Sequence, residues 1–409
     1  MPLGYIDLPH LLITYQNLSN TNVRVDTGQS GPPLEEYHYY YDQWPIGLAA
    51  SKQGRVFAYT LGEVSNKTAE VPYPDLATNS PPSGLSTTFN GIPFGSDSNS
   101  TFISVQALYI TPDDTLWVLD TGRPSTNETQ MLTMPYAQPR GPKLVAMNLT
   151  TNSISRTYTF PPSVHYPDSY MNDVRFDMRP NATASGQGIA YIVDSSNEGR
   201  TGFIMLDLGT GESWRQLTQH PSTLRTFEDV PSYQGVPFYQ RSPGLPRTNL
   251  QEGLDGAELS LYGDVMYFSP LTSDYLYNIP TEYLRANPAN DTLASQRASN
   301  NVQNLGQRGG NANGFAGDSN GAIYMLMPEQ NAINIYNTTT LTAEVFVRDP
   351  RIIWPDSANV GFDGYIYFNI NQLPYQPDWN NGTDLRRHPG LILRARLPNN
   401  ATKSTVLAA

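Results

Sequence analysis

One hairpin register recurs along the chain and restricts it to a repeat architecture. Its copies are anchored on a tight turn: Gly54 in ASKQGRVFAY, Asp114 in ITPDDTLWVLD, Gly263 in LSLYGDVMYFS, Gly321 in GDSNGAIYML and Gly364 in VGFDGYIYFN. Each anchor closes one short apolar run and opens another. Both runs are too short for helices, so each copy reads as strand, turn, strand. A sixth copy, MNDVRFDMRP followed by GIAYIVD, fits with an insertion between Pro180 and Gly188. Six hairpins of one design predict an all-β chain, a six-bladed β-propeller with a central channel, occupying 1–409 as a single domain. Inner strands are expected to start near 46, 106, 172, 255, 313 and 356. A closed ring needs a clasp, so LLITY (11–15) or STVLA (404–408) is expected to complete a blade shared by both termini.

The register also points to a site. Eight residues before the anchor stand Gln106, Asp255, Asn313 and Asp356, and aligning Asp177 with Asp318 adds Asn172. Only the first copy is apolar there, with Ile46. Two residues further on, the column is apolar or small: Leu48, Leu108, Val174, Ala257, Phe315 and Ala358. Inner strands of a propeller begin around one mouth of the channel, so five amides and carboxylates would ring that mouth. The plainer alternative is that Asn and Asp only cap turns at strand ends. Asp173 and Asn359 lie on the same strands and join the expected lining. Trp44-Pro45 and Trp354-Pro355 share one offset, ten residues before their anchors. With Phe315 and the Tyr37–Tyr41 cluster they could wall a flat apolar pocket, or simply plug blade packing.

Composition removes several classes of function. The net charge is −12 and the longest basic run is Arg386-Arg387, which argues against nucleic acid or an anionic membrane surface. No apolar run approaches the roughly 18 residues needed to span a bilayer. There is no cysteine, hence no disulfide, thiol nucleophile or thiolate metal site. The five histidines share no ligand spacing. His38 and His165 are the two whose neighbourhoods could bring an acid/base group to the mouth. No G-x-S-x-G elbow or P-loop occurs. Ten N-x-[ST] sequons, at Asn17, Asn66, Asn99, Asn127, Asn148, Asn181, Asn290, Asn337, Asn381 and Asn400, lie mostly in expected turns and point to secretion with N-glycosylation.

Four blocks follow in order: LWVLDTG (116–122), GPKLVAMNLTTNSI (141–154), AYIVDSSNEGRTGFIMLDLGTGESWRQL (190–217) and GLDGAELS through MYFSPLTSDYLYNIPTEYLR (253–285). Together they resemble the Yellow / major royal jelly protein family over roughly 40–370. The absence of cysteines departs from the insect pattern and fits a microbial, fungal-type branch. The resemblance implies a six-bladed propeller, secretion, glycosylation and no intrinsic cofactor. It leaves activity open, because such members include dopachrome-converting enzymes, binders of biogenic amines and storage proteins. Some similar fungal propellers are linked to cycloaddition of quinone-methide or tropolone-type partners. In amine-binding members an Asn and a Phe two residues on lie at the mouth, and Asn313 and Phe315 have that spacing.

A polar ring without nucleophile, thiol or redox group suits chemistry driven by orientation and hydrogen bonding. The expectation is a monomeric, secreted, cofactor-free enzyme. It would steer isomerisation, tautomerisation or hetero-Diels–Alder-type cycloaddition of a small molecule with an aromatic or quinonoid ring. Asn172 and Asn313 would donate to a carbonyl, while Asp255 or Asp356 would shuttle a proton; paired across the mouth, the two carboxylates could raise one another's pKa. Two alternatives use the same ring: a non-catalytic binder of aromatic amines, and a lactonase with an axial calcium ion held by Asn172, Asp255, Asn313 and Asp356.

Overall fold

A computed structural model describes residues 27–61, 70–80, 87–89, 92–94, 99–123 and 136–408. The first strands among the described residues are β1 (Leu34–Tyr40), β2 (Trp44–Ala50) and β3 (Val56–Leu61), then a short hairpin, β4 (Thr87–Phe89) and β5 (Ile92–Phe94). β6 (Val105–Ile110), β7 (Thr115–Asp120), β8 (Lys143–Asn148) and β9 (Ser153–Thr159) form one four-stranded sheet. β10 (Met171–Asp177), β11 (Ile189–Asp194), β12 (Gly202–Asp207) and β13 (Ser213–Gln216) form the next. A second small hairpin, β14 (Ser232–Tyr233) and β15 (Val236–Pro237), precedes the sheet β16 (Leu254–Leu259), β17 (Val265–Pro270), β18 (Tyr275–Pro280) and β19 (Gln303–Gln307). Between its last two strands lie α1 (Thr281–Arg285) and α2 (Ala294–Asn300). β20 (Phe315–Gly317), β21 (Ala322–Met327), β22 (Ala332–Asn337) and β23 (Thr342–Arg348) come next. The last sheet is β24 (Pro355–Val360), β25 (Tyr365–Ile370), β26 (Gly390–Arg396) and then β1.

This is an all-β propeller with five complete four-stranded sheets. At the remaining position only the pair β2–β3 falls among the described residues. The innermost strands contact one another in chain order, β2, β6, β10, β16, β20, β24, and β24 returns to β2, so the ring closes. The anchors behave as the register requires. Gly54, Gly263, Gly321 and Gly364 have φ between 68° and 83°, and Asp114 has 66°, the left-handed region that suits glycine and that Asp tolerates.

The clasp differs from the expectation. β1 adds to the free edge of β26, pairing Leu34 with Ala395 and Tyr40 with Gly390. Residues 404–408 carry no strand, and 11–15 lie outside the described residues. An N-terminal strand in the last sheet satisfies an edge that would otherwise expose unpaired backbone groups.

The core is divided among the gaps between sheets. One apolar cluster joins each neighbouring pair. Trp117, Leu144 and Tyr158 meet Phe176, Ile192 and Ile204 in one gap, and Leu48 and Ala50 meet Tyr367 and Ile392 in another. Side-chain amides tie adjacent sheets at the mouth end. Asn313 Nδ2 donates to the Pro355 carbonyl at 2.7 Å and Asn369 Nδ2 to the Pro45 carbonyl at 2.8 Å. The aspartates that end the LWVLD and YIVD blocks are buried and brace the loops entering the inner strands. Asp120 accepts from Ile103 N and Ser104 N and pairs with Lys143 at 2.8 Å. Asp194 accepts from Tyr170 N and pairs with Arg215 at 2.8 Å.

Candidate active site

The polar column sits where the inner strands bulge. Pairing with the second strand slips between Val105 and Ala107, between Met171 and Asp173, between Leu254 and Gly256, between Pro45 and Gly47, and between Pro355 and Ala358. The unpaired residues are therefore Gln106, Asn172, Asp255, Ile46, and Asp356 with Ser357. A bulge leaves one residue outside the ladder and re-aims its side chain. Here the polar ones line one cavity of about 80 Å³.

Gln106 Nε2 donates to Asn172 Oδ1 at 3.1 Å, and Asn172 Nδ2 donates to Asp255 Oδ1, so three neighbouring sheets are linked in a relay. Burial holds the Asp255 carboxyl well above the usual carboxylate range, and Glu252, Asp356 and Asp173 push it the same way. Burial likewise raises Asp356 to about 7, with Glu252 adding repulsion and an Asn371 hydrogen bond opposing. Glu252, at the entrance to β16, is raised to about 7 by burial. Carboxyl groups at this mouth are thus all pushed upward, because they are buried from water and, for Asp255 and Asp356, because neighbouring acids repel the ionised form.

Tyr59 is the unexpected member of this group. It lies on β3, yet its ring lines the cavity because its partner on β2 is Gly47. A Cβ at Gly47 would stand 2.3 Å from Tyr59 Cε1 and 2.5 Å from the hydroxyl. The missing side chain lets the phenol pass across the inner strand toward Asp356, Asp173 and Asp255, whose charges, after burial, hold it in the neutral form. Gly47→Ala is expected to displace the phenol and to reduce ligand affinity or turnover at least tenfold, with the β2–β3 pairing kept. Titration calorimetry beside circular dichroism checks this; unchanged affinity in a folded variant would remove Tyr59 from the site.

Three residues below the bulges lies a second layer: Tyr109, Arg175, Glu258 and Asn359. Arg175 pairs with Asp173 at 2.6 Å through Nη1 and with Glu258 at 2.8 Å through Nε, and its other nitrogen donates to the Phe315 carbonyl. Asn359 Oδ1 accepts from Ala50 N at 3.2 Å. The opposite charges hold Arg175 firmly protonated and partly offset the burial that raises Asp173.

Several expected members stand elsewhere. Asn313 does not line the cavity; it is buried, with its amide committed to Pro355. Phe315 does line the cavity as expected, while also packing in the core between two sheets, and its carbonyl accepts from Arg175. Trp44 stacks on His388 at 4.3 Å with Arg386 over it. Trp354 is 1% exposed, packed with Trp379 and Phe238 under the outer loops. Neither tryptophan walls the channel, since the positive φ of Trp354 turns its ring into the loop cluster. His38 is on the edge strand β1, 3.2 Å from Glu70. His165 is buried outside the cavity and pushed down to about 4, chiefly by burial, so it stays neutral. Of the twelve residues expected in the site, Gln106, Asn172, Asp173, Asp255, Phe315, Asp356 and Asn359 line the cavity. Arg175, Glu258, Tyr109 and Tyr59 were not expected. The first three share one offset from the anchor, a signal present in the register; Tyr59 had only the unbranched Gly47 to betray it.

Among the described residues no three His, Asp or Glu side chains converge as metal ligands. The seven sequons within the described residues, Asn99, Asn148, Asn181, Asn290, Asn337, Asn381 and Asn400, are all exposed. Asn148 and Asn337 spend Oδ1 on matching turns, each accepting from the backbone two and three residues on.

Fold and cavity define a propeller whose channel is lined by acids at one mouth and an ion-paired arginine beneath. The chain belongs to the major royal jelly protein family, whose model matches residues 103–376. Protein yellow of Drosophila guanche is 24% identical over 280 residues, covering 66% of this chain and 41% of that protein. Major royal jelly protein 1 of Apis mellifera is 26% identical over 197 residues, 46% of this chain and 39% of its own length. The chain thus spans about two fifths of the length of these relatives. Among solved structures, virginiamycin B lyase from Staphylococcus aureus is similar at 11% identity and TM-score 0.45, covering 89% of this chain and 99% of that one. A gluconolactonase from Xanthomonas campestris is similar at 8% identity and TM-score 0.44, covering 93% and 100%.

Proposed function

We propose that the channel is the active site of a cofactor-independent acid–base isomerase, acting on a small molecule with a carbonyl or quinonoid ring, in a secreted, N-glycosylated, monomeric propeller of six blades. One observation carries this reading: Asp255 and Asp356 line one mouth with the Tyr59 phenol, burial and neighbouring acids raise both carboxyls, Asp356 to about 7, and Glu252 at the entrance to β16 is raised to about 7 as well. A tautomerisation takes a proton from one atom and returns one to another. It needs a carboxylate and a carboxylic acid at the same pH, which unequal burial and mutual repulsion supply. The better-buried Asp255 would hold the proton while Asp356 accepts one. Gln106 and Asn172 would orient the carbonyl. A cycloaddition also needs orientation and a hydrogen bond to a carbonyl, but the tryptophan walls that favoured a flat ring pair are not at the cavity.

A second reading is favoured by the same acids. The carboxyl groups of Asp173, Asp255 and Asp356 in one mouth would relieve their repulsion by taking up an aromatic amine. The two part on pH. Proton exchange into the alpha position of 4-hydroxyphenylpyruvate, followed by NMR in deuterated water, is expected to peak near neutrality and to fall at least tenfold in Asp255→Asn. Amine binding would instead strengthen steadily as the acids ionise above pH 7. Dopamine binding with no catalysed exchange at any pH would overturn the isomerase reading in favour of the binder.

A further inference from the structure

The C-terminal segment closes the lower end of the channel and carries an amine into it. Three backbone bonds strap it across three sheets: Ser319 N donates to the Thr402 carbonyl at 2.8 Å, Lys403 N to Gly361 at 2.9 Å, and Met178 N to Leu407 at 2.8 Å. Leu407 packs against the turn at Gly263, where a Cβ would come within 2.8 Å of it. From this strap the Lys403 side chain turns inward. The residue is 6% exposed, and Nζ lies 4.2 Å from the centre of the Tyr109 ring. It shares the cavity with Asp255, Asp356 and Tyr59.

The chain has only four lysines. Lys52 is exposed, and Lys143 is buried but paired with Asp120. Lys67 lies outside the described residues. Lys403 is buried, and among the described residues its ammonium has no hydrogen bond or ion pair. The nearest acid in its layer, Glu258, has one oxygen on Arg175 and the other on Leu259 N. An ammonium on an aromatic face without a carboxylate is poorly compensated for the water it loses.

We propose that the Lys403 amine takes a carbonyl-bearing ligand covalently, as an imine. The nitrogen lone pair adds to the carbonyl carbon, forming the C–N bond, and the carbonyl oxygen takes up a proton. The carbinolamine then loses that oxygen as water, which leaves with both former amine protons, and C=N replaces C=O. A neutral amine is required. Burial supplies it, pushing Lys403 down to about 7 with Arg175 adding to the effect and Glu258 opposing. The charged or titratable groups that line the cavity with it are Glu258 and Asp255 from β16, Arg175 and Asp173 from β10, Tyr109 from β6, Tyr59 from β3, Asp356 from β24 and Asp318 after β20, the last already bonded by the Tyr324 hydroxyl.

The test treats the native chain with propanal and sodium cyanoborohydride, which fixes an imine as a stable propyl amine, and maps the adducts by peptide mass spectrometry. Lys403 is expected to be modified at pH 7 at least tenfold faster than Lys52, with a rate that rises through pH 7 and levels above it. An ordinary exposed lysine would still be gaining at pH 9, because it titrates near about 10.4. Lys403→Arg keeps a charge but cannot form the adduct, and should lose that modification alone. Because the readout is a mass and not turnover, the result is independent of the isomerase reading. Labelling of Lys52 with Lys403 untouched in native protein would overturn the proposal. So would labelling of Lys403 only after denaturation.

Discussion

Asp356→Asn is expected to make the protein more stable and less active at once. The folded-state pKa of Asp356 is raised to about 7, above its unfolded value. Below about pH 4 the group is protonated in both states and the substitution changes little. Between about pH 4 and 7 the unfolded chain ionises this carboxyl while the native state still holds its proton, so stability is lost across that window and levels off above it. An amide cannot ionise, so the gain should grow between pH 4 and 7 and persist above. We expect about 1–2 kcal/mol at pH 8, discounted for the group's partial contact with cavity water. Turnover or ligand affinity should fall at least tenfold in the same variant, about 1.4 kcal/mol. Asn313→Ala should do the opposite: a loss of about 1–3 kcal/mol of stability from the orphaned Pro355 carbonyl, with affinity near wild type. Melting temperatures at pH 4 and 8 beside binding at pH 7 resolve both. Asp356→Asn losing stability at pH 8 would mean the carboxylate is a structural partner.

Removing the arginine beneath the mouth should have the largest effect on folding. Arg175→Met leaves Asp173 and Glu258 without their counter-charge in the channel wall and frees the Phe315 carbonyl. Truncating one member of a buried ion cluster costs about 3–5 kcal/mol, because the remaining charges stay desolvated. Denaturant titration should therefore show a fall of that size at pH 7. Adding Glu258→Gln to Arg175→Met should recover a substantial part, since it removes the charge that the first change stranded. A double variant as unstable as the sum of two independent losses would show that Arg175 works through packing alone.

The local parts of this fold were legible because local rules decide them. A tight turn that needs positive φ selects glycine, or Asp at 114, and short apolar runs on either side can only be strands. The same register placed Gln106, Asn172, Asp255 and Asp356 at strand entrances, where they stand. It failed where direction matters more than position. Asn313 has the same offset as Asp356, yet its amide points to the neighbouring backbone and the carboxyl points to the axis. Trp44 and Trp354 share an offset with one another but not a destination, since loops without a repeat receive them.

The residues that complete the channel are products of closure. Tyr59 enters from a second strand through the gap left by Gly47, and Lys403 arrives on a tail more than two hundred residues from the Tyr109 ring it covers. Sequence alone determined the hairpins, their number and the polar column, because backbone sterics and alternation act over a few residues. Only the tertiary structure decided which of those polar groups share water. The ring's curvature and bulges set where each side chain points, and the pKa of a carboxyl depends on what it faces across the axis, not on its neighbours in the chain.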